Sequence, residues 1–86
     1  MSERFDEIRE LIADNDRRIV AAVNARLRLV EELWRLKGEL GVHRVDPERE
    51  RALRAALQES NAGPLSQQGL DQLVGALLEL TKRELD

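Results

Sequence analysis

The amino-acid sequence predicts an all-α protein with three helices in each chain, a very long first helix followed by two shorter ones. Three observations lead to this prediction. Residues 3–37 contain neither Gly nor Pro and repeat apolar residues every seven positions, which is the pattern of one amphipathic helix. Two later segments each begin with a residue that caps helices, and no segment shows the signals of a strand. The chain of 86 residues is expected to form a single domain, residues 1–86.

The first helix is too long for a chain of this size. Its apolar stripe consists of Phe5, Ile8, Ile12, Ile19, Ala22, Leu29, Leu33, Leu36 and Leu40. Gly38 and Gly41 then predict where the helix stops. At 1.5 Å per residue the helix is roughly 55 Å long, whereas a compact chain of this length is only about 30 Å across. Most of the stripe would be exposed unless a second copy covered it, so the sequence predicts a homodimer.

Two shorter helices follow, and each has a recognisable start. Asp46 is a typical N-cap and Pro47 a typical first helical residue, so a second helix is expected from there to about Glu59. Residues 60–64 have the composition of a loop. Ser66 can cap a third helix, which is expected to end near the C-terminus.

The composition excludes several kinds of chemistry. The chain has no Cys, which excludes disulfides, thiolate metal sites and Cys nucleophiles. Its single histidine, His43, argues against a histidine metal cluster or a Ser-His-Asp triad, and we assign it no role. A net charge of −3 disfavours nucleic acid as a partner. Without a signal peptide or an apolar run of roughly 20 residues, the chain is expected to be cytoplasmic and not to bind membranes.

Two cations lie on the apolar stripe of the first helix. Arg26 occupies a position of the seven-residue repeat where a large apolar residue is expected, and Lys37 follows 11 residues later. Eleven residues place both side chains on one face, about 16 Å apart along the axis. They could bracket a small anion, because a cation buried without a counter-charge is costly. The alternative is that Arg26 only forms a salt bridge across the dimer seam.

A second charged cluster is expected where the second helix begins. Asp46, Arg49 and Glu50 are spaced i, i+3, i+4 and therefore share one face; the alternative is an ordinary solvated helix start. Arg9 lies about 26 Å before Arg26 along the first helix. It could join the cations of another chain only if two long helices pair antiparallel.

In their order and spacing these charged residues resemble the all-helical chorismate mutases. That family has Arg, Asp, Arg and Lys at matching spacings on its first helix and a D-x-x-R-E motif at the start of its second. The matching residues are Arg9, Asp16, Arg26, Lys37, Asp46, Arg49 and Glu50, and the resemblance extends over about residues 5–85. It implies an intertwined homodimer that converts chorismate to prephenate by a Claisen rearrangement, without a cofactor, in phenylalanine and tyrosine biosynthesis.

The resemblance also implies a role for each residue. Arg26 and the partner subunit's Arg9 would bind the substrate carboxylates, with the charge of Arg49 nearby. Lys37 would donate a hydrogen bond to the ether oxygen of the breaking bond.

The acids of the same motif have different implied roles. Asp46 and Glu50 would hold the ring hydroxyl and order the cations. Taken together, the resemblance implies Lys37, Arg26 and Glu50 as the catalytic residues. Asp16 would be structural, near the helix–helix seam.

The third helix departs from the family pattern. The family commonly places Ser or Thr there, with Gln or Glu four residues later as a second donor to the ether oxygen. Thr81 matches the hydroxyl, but Leu85 stands four residues on and Glu84 is one residue off. The short ending is similar to that of short actinobacterial-type members, whose activity rises in a complex with the first enzyme of the shikimate pathway. An activating complex with that synthase is therefore a further expectation.

Three other functions remain open at this point. An isochorismate-pyruvate lyase has the same fold and similar cations, but its second helix generally lacks the acids that Asp46 and Glu50 supply. A mutase acting on 4-amino-4-deoxychorismate has no excluding feature. A non-catalytic helical dimerisation module would use Arg26 only to set the register of the two helices.

Overall fold

A computed structural model describes residues 2–85 and contains three α-helices in that range. They are α1 (Glu3–Leu40), α2 (Pro47–Ser60) and α3 (Gln67–Leu85). No strand occurs among the described residues. The predicted all-α fold with one long and two shorter helices is confirmed.

The ends of α1 are fixed by local hydrogen bonds. At its start the Ser2 hydroxyl accepts from the Phe5 amide at 3.1 Å. At its end Gly41 adopts a left-handed conformation (φ 71°), and the Val42 amide donates to the Lys37 carbonyl at 2.8 Å. This pattern ends a helix because it satisfies carbonyls that have no partner within the helix. Gly38 was also expected to stop the helix, which is wrong: it lies inside α1, and only Gly41 leaves the helical conformation.

The predicted caps of the two shorter helices are confirmed. The Asp46 carboxylate accepts from the Arg49 amide at 3.2 Å, with Pro47 in the first turn. The Ser66 hydroxyl accepts from the Gly69 amide at 3.0 Å. Helix α2 ends at Ser60, one residue beyond the expected position.

Helix α3 packs against both α1 and α2, so it holds the chain together. The core around it is very small. In residues 2–85, Leu70 and Val74 are the buried apolar residues, and Thr81 is a buried polar residue. The molecule measures 59 × 24 × 18 Å, and its long dimension matches the roughly 57 Å expected of the 38 residues of α1.

The apolar stripe of α1 is uncovered in a single chain. None of the residues of α1 is buried, and Ile12, Ile19 and Leu29 are 55%, 54% and 67% exposed. An exposed apolar surface of this length is typical of an interaction surface. Within residues 2–85 no helix has the length and apolar character needed to cross a membrane.

Candidate active site

Most of the charged residues singled out from the sequence meet around one cavity of about 410 Å³. The cavity lies between the second half of α1, the α1–α2 loop, the start of α2 and the end of α3. Leu33, Leu53 and Leu78 are among its apolar walls. The predicted residues that line it are Arg26, Lys37, Asp46, Arg49, Glu50 and Thr81. The fold therefore assembles side chains from three helices into a site large enough for a small molecule.

Arg26 is held from α3. Its guanidinium Nη1 donates to Thr81 Oγ1 at 2.5 Å, and Thr81 Oγ1 in turn donates its proton to the Leu77 carbonyl at 2.7 Å. A hydroxyl has one proton, so here Thr81 acts toward Arg26 as an acceptor. Because Thr81 is only 5% exposed, this acceptor is fixed in position and orients the half-buried Arg26.

Lys37 is held by the α1–α2 loop. Its Nζ donates to the backbone carbonyl of Arg44 at 3.1 Å. An ammonium group carries three protons, so one bond to the loop leaves donors that can reach a ligand in the cavity. Lys37 is half-buried, and its position between loop and cavity fixes where its charge lies.

The start of α2 supplies a mixed set of charges. The Asp46 Oδ1 atom caps the helix by accepting from the Arg49 amide, so this carboxylate has a structural as well as a potential binding role. Glu50 is half-buried on the adjacent turn. Both acids line the cavity beside Arg49, where they can order cations and accept a hydrogen bond from a ligand hydroxyl.

The cavity is strongly cationic overall. Five cationic side chains line it, against the two acids Asp46 and Glu50. The cations are Arg26, Lys37, Arg44, Arg49 and Lys82. A net excess of positive charge in a partly apolar pocket favours a small ligand that carries more than one negative charge.

Four residues named from the sequence lie elsewhere. Arg9 is near the start of α1, with its guanidinium 5.4 Å from the Phe5 ring centroid. Asp16 is exposed on α1 and is not part of the cavity wall. Glu84 is likewise exposed and outside the wall, and Leu85 lines a different depression.

Three charged or aromatic residues of the cavity wall were missed from the sequence: Trp34, Arg44 and Lys82. Lys82 follows Leu78 by four residues, so helical spacing alone could have placed it on the same face as that residue. Arg44 gave no such signal because it belongs to an irregular loop. In the described range, no group of three or more His, Cys, Asp or Glu side chains is arranged to hold a metal ion.

Comparison with known families gives a match over nearly the whole chain. The model of the family Chorismate mutase type II matches residues 8–84. The chain belongs to this family. The chorismate mutase resemblance inferred from the charged residues is therefore confirmed, and the family is one of isomerases.

Two solved structures from Thermus thermophilus, both of a chorismate mutase, are similar to this chain. Form I has 32% sequence identity and a TM-score of 0.87, and the alignment covers 92% of this chain and 99% of that one. Form II has 31% identity and a TM-score of 0.89, with 94% and 92% covered. The comparison with curated proteins found no match. The fold of this chain is thus that of a chorismate mutase along almost its entire length.

Proposed function

We propose that the protein catalyses the Claisen rearrangement of chorismate to prephenate, in phenylalanine and tyrosine biosynthesis. The observation that carries the proposal is the convergence of Arg26, Lys37 and Arg49 on one cavity in a chain of the chorismate mutase type II family. Chorismate carries two carboxylates, which suits a cavity with an excess of cations. Arginine is the preferred partner because its guanidinium can bind a carboxylate through two parallel hydrogen bonds.

The reaction asks for orientation and electrostatic stabilisation from the protein. In one cyclic shift of electrons the ether C–O bond breaks while a new C–C bond forms, so no proton, nucleophile or cofactor is required. The enolpyruvyl side chain must first be held over the ring, and fixing such a geometry can lower a barrier substantially. Arg26 and the partner subunit's Arg9 would bind the carboxylates, with the positive charge of Arg49 nearby, and would so restrict that side chain.

Lys37 is the proposed electrostatic catalyst. Negative charge develops on the ether oxygen as the C–O bond lengthens. A hydrogen-bond donor fixed near this oxygen therefore stabilises the transition state more than it stabilises the bound substrate. Losing one such donor typically raises a barrier by about 2.7–4 kcal/mol. The bond from Lys37 to the Arg44 carbonyl supports this role, since it holds the ammonium in place before substrate binds.

The acids have the complementary role. Glu50 and Asp46 accept hydrogen bonds from the ring hydroxyl and keep neighbouring cations in place. Thr81 would contribute to substrate binding by orienting Arg26, and the hydrogen bond between them supports this role.

The active enzyme is proposed to be an intertwined homodimer. The exposed apolar stripe of α1 supports this, because a single chain leaves Ile12, Ile19 and Leu29 in contact with water. Arg9 lies about 26 Å from Arg26 along α1, so it can reach a substrate only in the other subunit. Antiparallel pairing of the long helices would bring the partner subunit's Arg9 to each cavity.

A complex with a second enzyme is proposed because the chain resembles short, actinobacterial-like chorismate mutases. If the chain is a short, actinobacterial-like member, a complex with the first synthase of the shikimate pathway raises its activity. Mixing with that synthase tests this directly, and an unchanged kcat/KM would exclude it. The pathway assignment also leads us to propose a cytoplasmic location.

The absorbance of chorismate, followed with purified protein, tests the proposed function. Wild-type protein should consume chorismate and form prephenate, whereas Lys37→Ala should lose activity about 100-fold or more. Arg51→Ala, an exposed change on α2 outside the cavity wall, is the matched control and should remain active. No turnover by the wild type, with or without the synthase, would refute the proposal. Turnover of isochorismate or 4-amino-4-deoxychorismate alone would assign a sister activity instead.

A further inference from the structure

A side-chain contact joins the end of α1 to the loop that precedes α2. The guanidinium of Arg44 lies over the ring of Trp34, 4.8 Å from its centroid. This is well within the range of an attractive cation–π contact. The backbone carbonyl of the same Arg44 accepts the hydrogen bond from Lys37. One loop residue therefore contacts α1 twice, through its side chain and through its carbonyl.

The two contacts have a geometric consequence for the site. Helices α1 and α2 both pack on α3, and in the part of the chain described here no close backbone approach joins α1 directly to α2. Lys37 lies on α1, whereas Arg49 and Glu50 lie on α2. The loop between them, residues 41–46, begins with a left-handed Gly41 and has no regular structure apart from the Asp46 cap. The separation of Lys37 from the charges on α2 thus depends on the packing of both helices on α3 and, locally, on how this loop is held.

We propose that Trp34 and Arg44 are positioning residues that hold the loop and thereby fix Lys37 relative to Arg49 and Glu50. This inference rests on the proposed function, because positioning is defined relative to the reaction that Lys37 assists. Trp34 holds the Arg44 side chain, the fixed loop presents the Arg44 carbonyl, and that carbonyl orients the Lys37 ammonium. The remaining protons of Lys37 stay available for the ether oxygen.

Kinetics separate positioning from direct binding. Arg44 and Trp34 line the cavity, so a role in binding substrate is the competing explanation and would raise KM. Positioning of Lys37 acts on the transition state, so Arg44→Met and Trp34→Leu should both lower kcat by about 5- to 30-fold. Trp34→Leu removes no charge and should leave KM within about twofold of wild type, whereas Arg44→Met also removes one cation of the wall and should raise KM by about 3- to 10-fold. Arg44→Lys and Trp34→Phe keep a cation and a ring and should recover most of the loss. Arg51→Met is the matched arginine control and should behave as wild type.

A double-mutant cycle tests whether the effect runs through Lys37. If it does, Arg44→Met should cause no further loss in a Lys37→Met background, because the group to be positioned is already gone. Independent, multiplicative losses would overturn the proposal. So would a rise in KM at unchanged kcat, or full activity of both Arg44→Met and Trp34→Leu. Circular dichroism of each variant establishes that it is folded.

Fluorescence gives a readout that does not depend on activity. Trp34 is the only tryptophan of the chain, which has no tyrosine, so the emission reports on the surroundings of this one residue. The contact between Trp34 and Arg44 is called the clamp here. Acrylamide should quench Trp34 more strongly in Arg44→Met than in wild type, Arg44→Lys or the Arg51→Met control. Equal quenching in all four proteins would overturn the clamp. If wild type fails to turn over chorismate, the proposed function fails, and the quenching experiment still decides whether the clamp exists.

Discussion

The guanidinium of Arg26 on α1 donates a hydrogen bond to the buried hydroxyl of Thr81 on α3. These residues are 55 positions apart in the chain, and their bond connects the stripe of the long helix to the small core. The Thr81 proton is directed to the Leu77 carbonyl, so the hydroxyl presents a lone pair to Arg26. The orientation of a proposed carboxylate-binding cation is thereby determined by a residue in the core.

Replacing Thr81 tests this arrangement. Thr81→Val keeps the shape of the side chain but removes the acceptor, and a hydrogen bond to a charged group contributes about 1.5–3 kcal/mol. We expect kcat/KM for chorismate to fall by about 10-fold or more, while Thr81→Ser, which keeps the hydroxyl, stays close to wild type. Steady-state kinetics and thermal melts of both variants provide the measurement. Equal activity of the two would mean that the hydroxyl does not orient Arg26.

The two roles of Asp46 can be separated by two substitutions. Asp46→Ala removes the cap of α2 and should lower the free energy of unfolding by about 1 kcal/mol, whereas Asp46→Asn retains a capping oxygen and should be nearly as stable as wild type. If the carboxylate also serves the site, both variants should lose activity. Urea unfolding and kcat/KM measured side by side decide this. A fully active Asp46→Asn would reduce Asp46 to a helix cap.

The two glycines at the end of α1 should respond in opposite directions to alanine. At Gly41 the positive φ of 71° makes a side chain unfavourable, so Gly41→Ala should destabilise the protein by about 1–2 kcal/mol. Gly38 lies within the helix, and an added Cβ there would meet nothing within 4 Å. Gly38→Ala should therefore stabilise the protein by about 0.5–1 kcal/mol. Thermal unfolding midpoints that shift in the same direction for both variants would contradict this assignment of the helix end.

Lys82 should contribute to substrate affinity. It lines the cationic cavity, whereas its neighbour Arg83 does not. Removing one cation from the wall weakens attraction for a dianion, so Lys82→Ala should raise KM for chorismate by about 3- to 10-fold. Arg83→Ala changes an adjacent charge outside the wall and is the matched control. Identical KM values for the two variants would exclude Lys82 from the site.

Features set by local geometry could be predicted from the sequence. The caps at Asp46 and Ser66 depend only on residues within the first helical turn, and both are present. Arg26 and Lys37 share a face because helical rotation over 11 residues is fixed, and both line the cavity. The wrong prediction that Gly38 stops α1 has a local cause too. Glycine is compatible with either a helical or a left-handed backbone, so its presence alone does not show which of the two glycines ends the helix.

Features that depend on distant parts of the chain could not be predicted. The bond between Arg26 and Thr81 requires α3 to fold back along α1, which no spacing within one helix encodes. The contact of Arg44 with Trp34 depends on the path of an irregular loop. Glu84 is a residue that the sequence selected and the structure does not bring to the site. It was selected by analogy with the family pattern, but the rotation of the last turn of α3 places it outside the cavity wall.

The most direct test of the account is a mixing experiment, because its central claim is a chorismate mutase site completed by a second chain. Arg9→Ala and Lys37→Ala should each be nearly inactive alone. In a mixed dimer one site combines an intact Lys37 with the partner subunit's Arg9, while the other site lacks both.

Random reassociation makes half of the dimers mixed, with one intact site of two, so activity should recover to about one quarter of wild type. Sedimentation analysis should show a dimer for the wild type and for both variants. No recovery of activity after the two dimeric variants have exchanged subunits would contradict the shared site.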